Sequence, residues 1–267
     1  MTLLDYLQIP LFQRALLACA IAGSCLSLIG IVVIQFQLTV VRFALMHLSL
    51  LGGALGILIG TKPMWGAMIA IVIGSLLFGP LSSKINLEPA ITGAFLMTGS
   101  LAAALMLFHV GGVPAMEVFG LFAGSILTLT ALDFWLLGIV SLIIVSLFTL
   151  CYREIQLVLH DADQAQWLGV PVSTIRNSLL FLTGIAIGIS MKLVGALLID
   201  ALLLLPAMAA TRIAKTYKQL LVFSVLFGLI CAVGGFILSL LLNLPTGATI
   251  TMFGVLLLGI CYLLKRK

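Results

Sequence analysis

Residues 219–264 read QLLVFSVLFGLICAVGGFILSLLLNLPTGATITMFGVLLLGICYLL, two long apolar runs joined by the turn Asn243-Leu244-Pro245-Thr246-Gly247. The stretch contains no Asp, Glu, Lys or Arg. Basic residues flank it instead, with Arg212, Lys215 and Lys218 before it and Lys265, Arg266 and Lys267 after it. A helix crosses the hydrocarbon core of a bilayer in about 20 apolar residues. Two such spans with a tight turn put both basic groups on one side, as the positive-inside bias requires.

The rest of the chain has the same character. Of its 267 residues 63% are hydrophobic and 8% charged, and the mean hydropathy is +1.35. Soluble domains are about 45–50% apolar and about 25% charged, so the solvent for this apolar surface must be lipid. The net charge of +5 sits at the ends of apolar runs, which argues for membrane topology and against nucleic acid. Candidate spans lie near 13–35, 43–60, 64–80, 90–108, 132–150, 175–191, 194–211, 219–242 and 248–264. The expected fold is therefore all-α and polytopic, with eight or nine transmembrane helices. It forms a single transmembrane domain over 1–267. Residues 111–130 open with Gly111, Gly112 and Pro114 and suggest a short re-entrant helix, tolerated where protein lines a cavity. Counting from the basic groups leaves an external N-terminus and puts the 151–174 loop in the cytoplasm.

Cys19, Cys25, Cys151, Cys231 and Cys261 are scattered with no C-x-x-C pair, so they read as small hydrophobes and not as a disulfide framework. The start of the chain lacks the basic patch of a cleaved signal peptide. Glycines recur every fourth residue at Gly52, Gly56 and Gly60, at Gly120 and Gly124, and at Gly184 and Gly188. Such spacing lets helix backbones approach in lipid, either as ordinary packing or as a tight shell around a pathway. No phosphate-binding G-x-x-x-x-G-K-[ST] loop is present, so ATP chemistry would have to reside on another chain.

Intramembrane charge carries the functional signal, because each such group costs about 2.5–3.5 kcal/mol at the bilayer centre. Asp200 lies well inside a span between Ile199 and Ala201 and must face a cavity, a neighbouring helix or a cation. His47 lies in the second span, where its imidazole is either a packed side chain or a nitrogen ligand for a borderline divalent ion. Asp133 precedes an apolar run and reads as a helix N-cap. His109 and Glu117 flank the Gly-Gly-Val-Pro turn on the expected outer side, where they are solvated or, together with Asp133, form outer-side contacts for an arriving cation. Pro206 should kink its helix and release a carbonyl. The 151–174 loop, CYREIQLVLHDADQAQWLGVPVST, should form a short amphipathic helix stopped at Gly169. It is either a solvated connector or a docking surface for a cytoplasmic motor.

Several segments resemble the zinc/manganese permease family of ABC importers. They are FGLFAGSILTLTALDFWLLGIV with the loop after it, KLVGALLIDALLLLPAMAATRIA, and LPTGATI, in that order. Asp161, Asp163, Ala165, Leu168 and Gly169 resemble the family's ATPase-coupling loop. The resemblance implies the permease subunit of an ATP-driven importer of a divalent metal ion, zinc or manganese, working by alternating access. It further implies a homodimer with cytoplasmic ATPase subunits that hold the ATP, fed by an extracytoplasmic metal-binding protein. One departure stands out. The family's second span usually reads G-D-A-L-S-H-A, whereas this chain reads Arg42-Phe43-Ala44-Leu45-Met46-His47-Leu48. The histidine is kept and the aspartate is replaced by Phe43, so Asp200 is the expected substitute carboxylate and iron joins the candidate ions. The competing class is a gradient-driven secondary cation transporter, which calls for intramembrane acid pairs or matched half-repeats. An intramembrane enzyme has no supporting motif, as neither H-E-x-x-H nor G-x-S-x-G occurs.

Overall fold

A computed structural model of the protein describes residues 9–85, 89–113 and 130–264. Those residues form eleven α-helices and no strand. In order they are α1 (Pro10–Gln35), α2 (Thr39–Leu58), α3 (Pro63–Ile85), α4 (Pro89–Val110) and α5 (Ala131–Leu150). There follow α6 (Tyr152–His160), α7 (Ala162–Trp167), α8 (Val172–Val194), α9 (Ala196–Ile213), α10 (Tyr217–Leu242) and α11 (Thr246–Leu264). Every span expected from hydropathy falls on one of these helices. Among the described residues, α1, α2, α4, α5, α10 and α11 are long and apolar enough to cross a bilayer, while α3 and α8 hold the shorter apolar stretches Trp65–Phe78 and Val172–Gly188. The expected re-entrant stretch begins with a turn at Gly111–Val113, with Gly112 at φ +63. Residues 114–129, including Gly120 and Gly124, lie outside the described residues.

The chain divides into two compact units, one comprising Met1–Ile34, Phe122–Ser146 and Leu193–Lys267, the other Gln35–Leu121 and Leu147–Lys192. In the first unit α9, α10 and α11 pack against one another, and α1 is held by backbone-close contacts. A side chain on Gly23 would run into the Gly228 carbonyl and one on Gly228 into the Gly23 carbonyl. One turn further along, the buried Ser224 hydroxyl donates to the Ser27 carbonyl at 2.8 Å. A side chain on Gly30 would likewise strike the Leu203 carbonyl of α9. In lipid, apolar side chains gain nothing by leaving their solvent, so helix association rests on such close packing and interhelical hydrogen bonds.

In the second unit α2 packs against both α3 and α4. Gly52 and Gly66 face each other backbone to backbone, and Gly184 and Gly188 of α8 accept Ser75 and Ile71 of α3. Gly60 departs from the expected packing series. It sits at φ +77 with open space around it and ends α2 instead. The outward surfaces are apolar, as at Trp135 and Leu150, which are 71% and 82% exposed. All five cysteines are free thiols.

Candidate ion-pathway and docking residues

His47 occupies the third turn of α2 in the second unit. Its Nδ1 lies 2.7 Å from the Phe43 carbonyl oxygen. A carbonyl only accepts, so Nδ1 is the donor of this bond. The Phe43 side chain cannot coordinate an ion, yet its backbone orients the imidazole. The Phe43 ring has its own neighbour, the Arg42 guanidinium, whose centre lies 4.3 Å from the ring centroid. Arg42 is only 2% exposed, and the quadrupole of the ring provides a favourable setting for that buried charge.

Asp200 lies in the second turn of α9 in the first unit, half-buried between the fully buried Ile199 and Ala201. The helix begins immediately after Gly195, whose φ of 84 and ψ of 157 belong to a region populated essentially by glycine alone. Pro206 is buried within α9, which continues through it to Ile213. The ring removes the amide that would otherwise bond the Leu202 carbonyl one turn back.

The structure corrects the reading of Asp133. The N-cap of α5 is Thr130, whose carbonyl accepts the Phe134 amide at 3.1 Å. Asp133 occupies the third helical position and reaches back, accepting from the Thr130 amide at 3.1 Å and the Thr130 hydroxyl at 2.7 Å. The Asp133 amide donates to the Thr130 hydroxyl at 3.3 Å, closing a capping box. The T-x-x-D spacing was the available signal. The carboxylate is buried at 2% exposure because it closes the helix end. His109 stands exposed in the last turn of α4, and Glu117 lies outside the described residues. No group of three or more His, Cys, Asp or Glu is arranged to hold a metal among the described residues.

The 151–174 segment forms two short helices instead of one, because Asp161 adopts an extended backbone (φ −155, ψ 107) that interrupts the helical path. Its carboxylate caps α7, accepting the Asp163 and Gln164 amides at 3.0 and 3.1 Å. At the other end Gly169 has φ +79. Its amide donates to Gln166, and Val170 donates to Ala165, both at 3.0 Å. This is the Schellman closure that a left-handed residue permits. Ile155, Val158 and Ala165 are buried and fasten the pair. What remains outside is an apolar tip: Trp167 is 90% exposed and Leu168 68%. With Asp163 and Gln164 they line an open depression of about 500 Å³.

The family model described as "ABC 3 transport family" matches residues 8–265. The chain belongs to the ABC 3 transport family. Relatives extend over nearly the same length. The manganese transport system membrane protein MntC of Halalkalibacterium halodurans is 25% identical over 255 residues, covering 96% of this chain and 87% of the relative. The high-affinity zinc uptake system membrane protein ZnuB of Haemophilus influenzae is 25% identical over 251 residues, covering 92% and 96%. Among solved structures, that of PsaBC from Streptococcus pneumoniae in complex with Fab aligns with a TM-score of 0.83 and 23% identity, over 97% of this chain and 94% of that one. The last comparison shows that the fold is shared.

This ABC 3 permease is thus a multi-pass protein of the cytoplasmic membrane and a transport subunit, with ATP hydrolysis assigned to a separate chain. Family membership selects the ATP-driven reading over the gradient-driven one. The sequence reading passed over Trp167. In sequence it is one tryptophan at the end of an amphipathic stretch, and only the fold shows that its side chain is 90% exposed.

Proposed function

We propose that this ABC 3 permease carries a divalent transition-metal ion, manganese or zinc with iron as the third candidate, into the cell by alternating access. The observation that carries the reading is the match along residues 8–265, shared with relatives named for manganese and zinc uptake. His47 is the nitrogen ligand of the pathway, its ring oriented by the bond from Nδ1 to the Phe43 carbonyl. Asp200 supplies the carboxylate that Phe43 cannot. A pathway must release its ion at each point, so single nitrogen and oxygen ligands along it are physically suitable. His109 and Glu117 serve as outer contacts, and Asp133 acts through the helix end it closes. Pro206 leaves the Leu202 carbonyl without its helical donor and so gives α9 a place to flex.

The permease works as a homodimer with two cytoplasmic ATPases and an extracytoplasmic metal-binding protein. The α6–α7 loop is the ATPase contact. Asp161, Ala165 and Gly169 hold its shape, while Asp163, Leu168 and Trp167 meet the partner. The test is ATP hydrolysis by the permease–ATPase complex in liposomes, stimulated by binding protein loaded with manganese, zinc or iron in turn. Stimulation by one loaded form names the cargo, and stimulation by none refutes the reading. In the same system Asp200→Asn should abolish uptake and leave ATPase docking intact; normal uptake would remove Asp200 from the pathway.

A further inference from the structure

We infer that the end of the first unit where α9 finishes, α10 starts and α11 finishes is a binding site for anionic phospholipid headgroups. From Ala201 onward the sequence of these three helices and their ends carries charge of one sign. Between Ala201 and Lys267 the sequence holds six basic residues, Arg212, Lys215, Lys218, Lys265, Arg266 and Lys267, and no Asp or Glu. Three consecutive helices that pack on one another alternate in direction across the short turns 214–216 and 243–245, which brings Arg212, Lys215 and Lys218 to the end where α11 also terminates. The Arg212 guanidinium lies 4.5 Å from the centre of the Tyr262 ring, which ties the end of α9 to the end of α11.

The turn presenting these cations is built rigidly. Thr216 caps α10 by accepting the Gln219 amide at 3.2 Å, and the Gln219 side chain accepts the Lys215 amide at 2.9 Å. Arg212, Lys215 and Lys218 are all exposed. Next to them α11 presents an apolar flank, with Leu256, Ile260, Leu263 and Leu264 between 57% and 71% exposed. Cations held at the edge of a lipid-facing apolar surface, with an aromatic ring at the same level, match the two parts of a phospholipid: phosphate on the cations and acyl chains along α11. The charge complementarity and the continuity with the lipid-facing side of α11 favour a lipid over a protein partner. The cluster orients the chain during insertion as any basic flank does, and here it also retains particular lipids afterwards.

Native mass spectrometry of the purified full-length permease with mixed phosphatidylglycerol and phosphatidylcholine tests this. Phosphatidylglycerol should be retained in preference. Each cation removed as Lys215→Gln or Lys218→Gln should lower that preference about fivefold, the weight of one basic residue at an anionic surface. Tyr262→Leu leaves the charge unchanged but frees Arg212, and it should lower the preference by a smaller factor. Arg153→Gln is a basic substitution elsewhere and should change nothing. Each variant is scored only where its melting temperature matches the parent. Equal retention of the two lipids by the parent, or an unchanged preference in both lysine variants, overturns the inference. So does loss of ATPase copurification in those variants with lipid preference intact, since the patch would then be a protein contact.

Discussion

Replacing Trp167 with Ala should separate the docking role of the α6–α7 loop from its folding. The side chain is 90% exposed in the chain by itself, so removing it leaves no cavity and no unsatisfied group. A surface change of this kind shifts stability by about 0.5 kcal/mol or less, which is a melting-point change below about 2 °C for a chain of this size. Against a partner the balance is different. A covered tryptophan removes about 150–250 Å² from water, which at about 25 cal/mol per Å² sets a ceiling near 4–6 kcal/mol. Measured truncations of central interface tryptophans cost about 2–4 kcal/mol, so the dissociation constant for the cognate ATPase should rise by about 30- to 1000-fold. The assay is titration of detergent-purified permease with its ATPase, beside a thermal melt of the permease alone. A dissociation constant within about threefold of the parent, with the melt unchanged, would refute the assignment of Trp167 to the docking surface. A melt lowered by 10 °C would refute the premise that this residue is free of the fold.

Asp133→Ala removes the acceptor of the Thr130 amide and hydroxyl and should cost about 1 kcal/mol of stability. Thr130→Ala should cost a similar amount, and the double change less than the sum, as members of one capping box share their bonds; thermal melts of the three variants check this. Gly52→Leu puts a side chain against the Gly66 carbonyl. It should lose at least about 2 kcal/mol through overpacking and fail to yield monodisperse protein, whereas Gly60→Ala, in open space but at positive φ, should cost about 1 kcal/mol. His47→Gln should reduce metal-stimulated ATP hydrolysis by at least tenfold while leaving ATPase copurification unchanged; full stimulation would remove the imidazole from the pathway.

The sequence by itself determined the solvent, and through it the class of fold. With 63% apolar residues and no water in the bilayer core, backbone groups must bond within their own segment, so each apolar run had to be a helix. That is why all nine expected spans fall on helices, and why Gly169 and the Asn243–Pro245 turn end them where the residue types require. It also marked His47 and Asp200, because an ionisable group in a span is costly wherever it points. Only the tertiary structure decided which neighbours share those costs. Glycine spacing cannot distinguish Gly52, pressed on the Gly66 backbone, from Gly60, which faces open space, since the difference lies in the helix opposite. One residue type served two readings in the α6–α7 loop, where Asp161 breaks and caps a helix while Asp163 stays outside. The sequence placed Asp133 at the correct helix end, but as the cap and not as the partner of Thr130, because a carboxylate two bonds from its own backbone can close that end in either way. The exposure of Trp167 was likewise left to the fold, which buries Ala165 of the same short helix and leaves Trp167 90% exposed.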